Sequence, residues 1–179
     1  MFMASERGVG RKTGEEMNIQ KSWREKLADN KGLPKTGKIE GRMIKRWGTG
    51  TMVIPAPGEV DAIMQKVPKG KLITINEIRA LLARKHEVDI TCPITTGIFA
   101  WIAAHAAEEA TVARTRNVTP YWRTLKSEGE LNAKYPGGIS GIRKRLRAEG
   151  HRIVQRGKRY FVADFEKALA VKTTPAPSA

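Results

Sequence analysis

Thr74-Ile75-Asn76-Glu77-Ile78-Arg79-Ala80-Leu81-Leu82-Ala83-Arg84-Lys85, followed after a short break by Pro93-Ile94-Thr95-Thr96-Gly97, is the stretch on which the fold turns. Thr74-x-x-Glu77 has the form of a capping box, in which a hydroxyl and a carboxylate each satisfy an amide that a helix start leaves unpaired. Ile75, Ile78, Leu81 and Leu82 then fall on one stripe of a helix ending near Lys85, and the pattern turns Arg79, Arg84 and Lys85 toward solvent. Val88-Asp89-Ile90 interrupts the period. Pro93 suits the first turn of a second helix, which runs through Ile98, Trp101 and Ile102 toward Ala107, with Phe99 and Trp101 expected in its core. Two helices joined by a short turn form either a helix-turn-helix or an ordinary pair of core helices, and spacing alone leaves both open.

Toward the N terminus, Val60, Ile63, Met64 and Val67 mark a helix that begins near Pro57 and stops at Pro68-Lys69-Gly70. Ser22 can cap a short helix through Ala28. Gly32, Pro34 and Gly37 break that pattern, and Lys38 to Ile54 carries no period that assigns it. Toward the C terminus, Pro120 to Leu125 reads as a strand or extended loop, and Glu128-Gly129 and Pro136-Gly137-Gly138 as turns. Ile139, Ile142 and Leu146 line a helix that Gly150 ends. Ile153-Val154 and Tyr160-Phe161-Val162 read as two strands joined by a tight turn at Arg156-Gly157, and Asp164 as the cap of a last helix through Leu169. The expected class is mainly α with a small β-hairpin. The expected organisation is a flexible tail over 1–20 with Arg7, Arg11 and Lys12 as its bases, an N-terminal extension over 21–56 packing on a domain over 57–170, and a second flexible tail over 171–179.

The 179 residues suit one domain with a small addition. Lys and Arg total 33 against 18 acids, so the formal charge is 33 − 18 = +15, which puts polyanions first among candidate partners. The lone Cys92 forms no internal disulfide, and His86, His105 and His151 are too scattered for a metal centre, so neither metal nor cofactor is expected. The most apolar stretch, Gly97 to Ala107, is far short of the ~20 residues a membrane span needs, and no signal-peptide pattern opens the chain. A monomer in the cytoplasm, or on the nucleoid, is expected. Arg143, Lys144, Arg145 and Arg147 crowd one helix, and Arg152, Arg156, Lys158 and Arg159 the hairpin after it, denser than any other segment. Such a helix and hairpin could straddle a phosphate backbone with the hairpin as a wing; the bland alternative is a solvated charged face, and nothing in the pattern specifies a base sequence.

Three segments in order resemble the C-terminal domain of the alkylguanine-DNA alkyltransferases, suicide methyltransferases that repair alkylated guanine. Val67-Pro68-Lys69-Gly70-Lys71-Leu72-Ile73-Thr74 is similar to the family's I-P-x-G-x-V-x-S/T entry to its helix-turn-helix, and Pro93 to Gly97 stands where its DNA-reading helix begins. Pro120-Tyr121-Trp122-Arg123-Thr124-Leu125 stands where the family has Pro-Cys-His-Arg-Val. The continuation Glu128-Gly129-Glu130-Leu131, Tyr135-Pro136-Gly137-Gly138, Lys144 to Leu146 and Glu149-Gly150-His151 follows its D/E-G-x-L-x-x-Y-x-G-G … K-x-x-L-x-x-E-G pattern. The resemblance spans Pro57 to His151 and implies a winged helix-turn-helix-like domain, double-stranded DNA as partner, DNA contacts from Ile94, Thr95 and Thr96, and a lesion pocket at Tyr121, Trp122, Arg123 and Tyr135.

The departures from the family shape the functional expectation. Tyr121 and Trp122 replace the acceptor cysteine and its activating histidine, while Glu149 keeps the place of the family's Glu. Alkyltransferase-like proteins also lack the cysteine; they bind alkylated DNA and flag it for other repair machinery. The resemblance therefore implies a noncatalytic DNA-binding protein of that kind, with a repair protein as further partner. Ile94 or Thr95 stands where the family has its gap-filling Arg, Ile75 where it has a phosphate-rotating Tyr, and Pro136 where it has a pocket Ser. Two alternatives stay open: methyl transfer to a displaced acceptor, Cys92 or a Tyr121 phenolate, and a general nucleic-acid- or protein-binding adaptor on the same fold.

Overall fold

Ser22 opens helix α1 (Trp23–Ala28) with a reciprocal cap: its hydroxyl accepts from the Glu25 amide at 3.2 Å while the Glu25 carboxylate accepts from the Ser22 amide at 2.7 Å. The computed structural model describes residues 21–171; the tails expected at 1–20 and at the C-terminal end from residue 172 lie outside the described residues. The stretch without a helical period forms β1 (Lys35–Lys38), a tight helical turn (Gly41–Met43) running into the one-turn helix α2 (Ile44–Trp47), and β2 (Thr51–Ile54), antiparallel to β1. β2 in turn pairs in parallel with β4 (Ile90–Thr91). Under this three-stranded sheet lies a small apolar layer of Ile39, Met52 and Cys92, flanked by Trp47, Ile54 and Ile90.

The main core is helical. α3 (Pro57–Gln65) starts with the Ala56 amide donating to Glu59, and α4 (Ile75–Lys85) with the capping box of Thr74 and Glu77, so both starts sit where local chemistry places them. Arg79 departs from the expected outward orientation. Its guanidinium is half-buried and donates from Nε to the Thr91 carbonyl at 3.1 Å, while the Thr91 hydroxyl donates to the Arg79 carbonyl, tying α4 to β4. α5 (Pro93–Val112) runs past its expected end, because Ala103, Ala104, Ala106 and Ala107 give it a small-residue face that lets α1 and α3 approach closely. Val60, Met64, Ile78, Leu82, Ala100, Leu125, Leu131, Ile142 and Leu146 fill the space between these helices and α6 (Gly138–Ala148).

Tyr121–Arg123 forms a tight helical turn where a strand or extended loop was expected, and only Thr124–Leu125 (β5) is extended, pairing in parallel with β3 (Ile73–Thr74). β6 (Ile153–Arg156) and β7 (Arg159–Val162) form the expected hairpin; Gly157 takes φ +60° in its turn, a conformation that costs glycine little. The last helix, α7 (Phe165–Ala168), is not capped by the Asp164 side chain. Asp164 itself sits at φ +52°, and its carboxylate faces Arg152 at 3.5 Å and Lys167 at 4.0 Å. The Phe165 ring lies against Gly129, where a Cβ would have no room. The domain is mainly α with a small β-hairpin.

Candidate nucleic-acid interface

The start of α5 divides its expected DNA contacts. Ile94 is 47% exposed, as is Ile98 one turn on. Thr95 is half-buried. Thr96, expected at the DNA, is fully buried and donates its hydroxyl to the Cys92 carbonyl at 2.7 Å, because the helix turns this position toward the core; in this arrangement it cannot reach a groove. Cys92, the residue just before the helix, is buried in the layer with Ile39 and Met52.

The residues expected to line a lesion pocket split in the same way. Tyr121 and Tyr135 are core residues, 2% and 3% exposed, packed edge to face with ring centroids 5.9 Å apart. The Tyr121 hydroxyl lies 3.1 Å from a Glu108 carboxylate oxygen and 3.3 Å from the Pro136 carbonyl, both acceptors for its one proton. Burial, opposed by Arg145 and aided by Glu108, pushes its pKa up to about 12. Burial pushes Tyr135 up as well. Trp122 and Arg123 instead border a hollow of about 480 Å³ together with Gln65, Lys66, Asn117, Val118 and Pro120.

Glu149 gathers the donors of this region. Arg123 grips its carboxylate through Nε (3.0 and 3.1 Å) and Nη2 (2.8 Å), the Gly70 amide donates at 3.0 Å, and the Trp122 indole N–H at 2.9 Å. The same guanidinium donates from Nη1 to the Val67 carbonyl at 2.7 Å, so one ion pair joins the loop before β3, the Tyr121–Arg123 turn and the end of α6. Burial alone would raise the Glu149 pKa, but the donors from Arg123, Gly70 and Trp122 outweigh it and hold the carboxyl below its ordinary value. An indole nitrogen donates but has no lone pair to accept a proton, so Trp122 makes a hydrogen bond to this Glu without being a base. Next to this assembly, burial holds the His151 imidazole below its ordinary pKa, and its Nε2 is buried with no hydrogen-bond partner among the described residues.

The basic helix and hairpin are likewise of two kinds. Arg143 lies over the Tyr160 ring at 4.7 Å, and Arg145 lies over Trp122 at 4.6 Å while facing Glu108 at 3.7 Å. Arg152 faces Asp164, and Arg159 faces Glu130 at 3.4 Å. Lys144, Arg147, Arg156 and Lys158 are exposed and have no carboxylate within ion-pair distance among the described residues, although Arg156 lies over the Phe161 ring at 5.1 Å. Sequence reasoning passed over Glu108 and Glu109, although they are the only charged residues in α5. Glu108 receives Tyr121 and Arg145, and Glu109 accepts the Trp23 and Arg24 amides at 3.0 Å each, docking α1 where the Trp23 ring meets Trp101 and His105. An acid pair on an otherwise uncharged helix was the signal that could have found them.

Among the described residues no cluster of His, Cys, Asp or Glu could hold a metal ion, and no helix is long and apolar enough to cross a membrane. No protein-family model matches the chain, and no curated protein matches it. Solved structures similar to it include S. pombe Atl1 in complex with damaged DNA containing O6-carboxymethylguanine and S. pombe ATL in complex with DNA. Each is 20% identical, covers 65% of this chain and 94% of its own, and superposes with a TM-score of 0.47.

Proposed function

We propose that this chain is a noncatalytic double-stranded-DNA-binding protein of the alkyltransferase-like kind, docking α5 toward a groove while α6 and the β6–β7 hairpin hold phosphates as a wing. The observation that carries the proposal is the set of exposed bases on that helix and hairpin without carboxylate partners among the described residues, Lys144, Arg147, Arg156 and Lys158, in a chain of formal charge +15. Ile94 and Ile98 give α5 an apolar exposed edge suited to base contact or a wedge. A noncatalytic role is supported by the chemistry at the family's acceptor position: the Tyr121 proton is held up to about pH 12 and Trp122 cannot take it. A preference for alkylated guanine rests on the motif order from Val67 to His151. Recognition by stacking on Tyr135 would need that buried ring to open, so Trp122 and its hollow are the better candidate contact.

Fluorescence anisotropy of one duplex, with and without a single O6-methylguanine, at several salt concentrations and followed by intact-mass measurement, tests the proposal. Salt-dependent binding without added methyl mass is expected. R147A/K158A should weaken binding to either duplex and reduce the slope of log K against log salt by about 2, at roughly 0.9 per phosphate contact. A methylated product would overturn the noncatalytic reading, and no binding to either duplex would overturn the DNA reading.

A further inference from the structure

β1 and its connection to β2 carry a second basic surface that the function above does not use. Lys35, Lys38, Arg42, Lys45 and Arg46 lie on it against the single acid Glu40, all are exposed, and none is within ion-pair distance of a carboxylate among the described residues. β1 is an edge strand exposed at every position, so its side chains contribute nothing to a core. The segment is nonetheless anchored. Ile39 is 4% exposed, and Trp47 packs against the layer of Ile39, Met52 and Cys92. β2 pairs with β4, which runs directly into Cys92 and the first turn of α5, where Ile94 emerges to solvent. The connection leaves the sheet at the Thr51–Asp89 end, and the apolar layer of Ile39, Met52 and Cys92 ties it to the residue just before α5.

We propose that Lys35 to Trp47 is a second phosphate-binding arm for duplex DNA, flanking the start of α5 as the β6–β7 hairpin forms the wing. The proposal rests on the duplex-DNA reading above. Exposed bases tied through the Ile39–Cys92 layer to an exposed, uncharged helix start match the usual division of labour in a DNA interface, where phosphate contacts set position and the groove element touches bases. Met43 and Ile44, 37% and 41% exposed on the same connection, add apolar surface between the charges. A solvated face would need no buried anchor, whereas Ile39 and Trp47 hold these bases on a defined structure.

The test compares R42A/K45A/R46A with R147A/K158A in the full chain, by anisotropy on one duplex across a salt series. The arm variant should lower the slope of log K against log salt by 2–3, at roughly 0.9 per lost contact. Its thermal midpoint should be unchanged, since the altered side chains are exposed. R42K/K45R/R46K, which keeps the charges, should keep the slope. A wild-type slope in the arm variant, with the wing variant still weakened, would overturn the arm and leave the DNA reading standing. Failure of the unaltered chain to bind duplex at all would remove both. An arm variant that loses affinity for polyglutamate while duplex binding is unchanged would overturn the proposal in favour of an acidic protein partner.

Discussion

Arg123 and Arg147 belong to the same basic chain and do opposite things with their charge. Arg123 is spent internally: it faces Glu149 at 2.8 Å with side chains 14% and 7% exposed, and it closes a knot joining three separate stretches of the chain. Arg147 is exposed and faces no carboxylate among the described residues. A net charge read from composition does not separate these cases, because a buried pair and a solvated base count alike until the carboxylates are placed. The ion pair of Arg123 and Glu149 holds separate stretches of the fold together, whereas the exposed bases outside it are the ones the proposal assigns to phosphate contact.

The largest effect that would sharpen this contrast comes from Glu149→Ala. Removing the carboxylate strands the Arg123 guanidinium, the Trp122 N–H and the Gly70 amide in a partly buried site, and breaking a buried ion pair this way costs about 3–5 kcal/mol. Urea unfolding should show that loss. Duplex affinity per folded molecule should stay at the unaltered value, and an equal loss of affinity would mean that the knot is itself part of the DNA site.

Acid should dissect the same region in two windows. His151 is held below its ordinary pKa of 6.5 by burial, so the folded state resists a proton that the unfolded chain accepts. Its contribution is complete above about 6.5 and is lost as pH falls toward its lowered folded value. Glu149 is likewise held below its ordinary 4.5; the stability it supplies is present above that value and lost as pH falls through the lower folded one. Thermal midpoints measured from pH 8 to pH 3 should fall in both windows. His151→Phe should flatten the upper one, and Glu149→Gln should make the lower one shallower, the rest of it coming from other carboxyls held below their ordinary values, such as Glu59 and Asp89. A single unbroken decline in both variants would show that the knot does not control acid stability.

What the sequence made legible is what is encoded within one turn. Ser22 with Glu25 and Thr74 with Glu77 announce helix starts through contacts three residues apart, and the hairpin announces itself through Arg156-Gly157 between apolar runs. The three-stranded sheet was not legible, because β1 is exposed on both faces and β4 has only two residues, so neither shows an alternation. The inward turn of Arg79 was hidden for a related reason: its partner is a backbone carbonyl, which every residue carries. For the candidate site, the family resemblance singled out Tyr121, Trp122, Arg123 and Glu149, which the structure brings together around one carboxylate and one aromatic pair. It did not give their packing, since Trp122 and Glu149 meet across 27 residues and Glu108 comes from another helix. The bases of the arm were passed over because they are spaced along a segment with no period to assign it.

The smallest effect bears on what Tyr121 contributes at the position that the resemblance matches to the alkyltransferases' nucleophile. Tyr121→Phe keeps the ring in its edge-to-face contacts with Trp122 and Tyr135 and removes only the hydroxyl. Glu108 retains Arg145 and is partly exposed to solvent, and the Pro136 carbonyl has a second lone pair, so neither acceptor is stranded as a buried charge would be. The expected loss is about 1 kcal/mol, the net value of one hydrogen bond. Equilibrium unfolding of the variant checks the size, and the anisotropy assay with alkylated duplex checks the meaning. Unchanged discrimination between modified and unmodified DNA would leave Tyr121 as a core residue; a loss of discrimination with so small a change in stability would make its hydroxyl a contact to the lesion, reached by opening the Tyr121–Tyr135 pair.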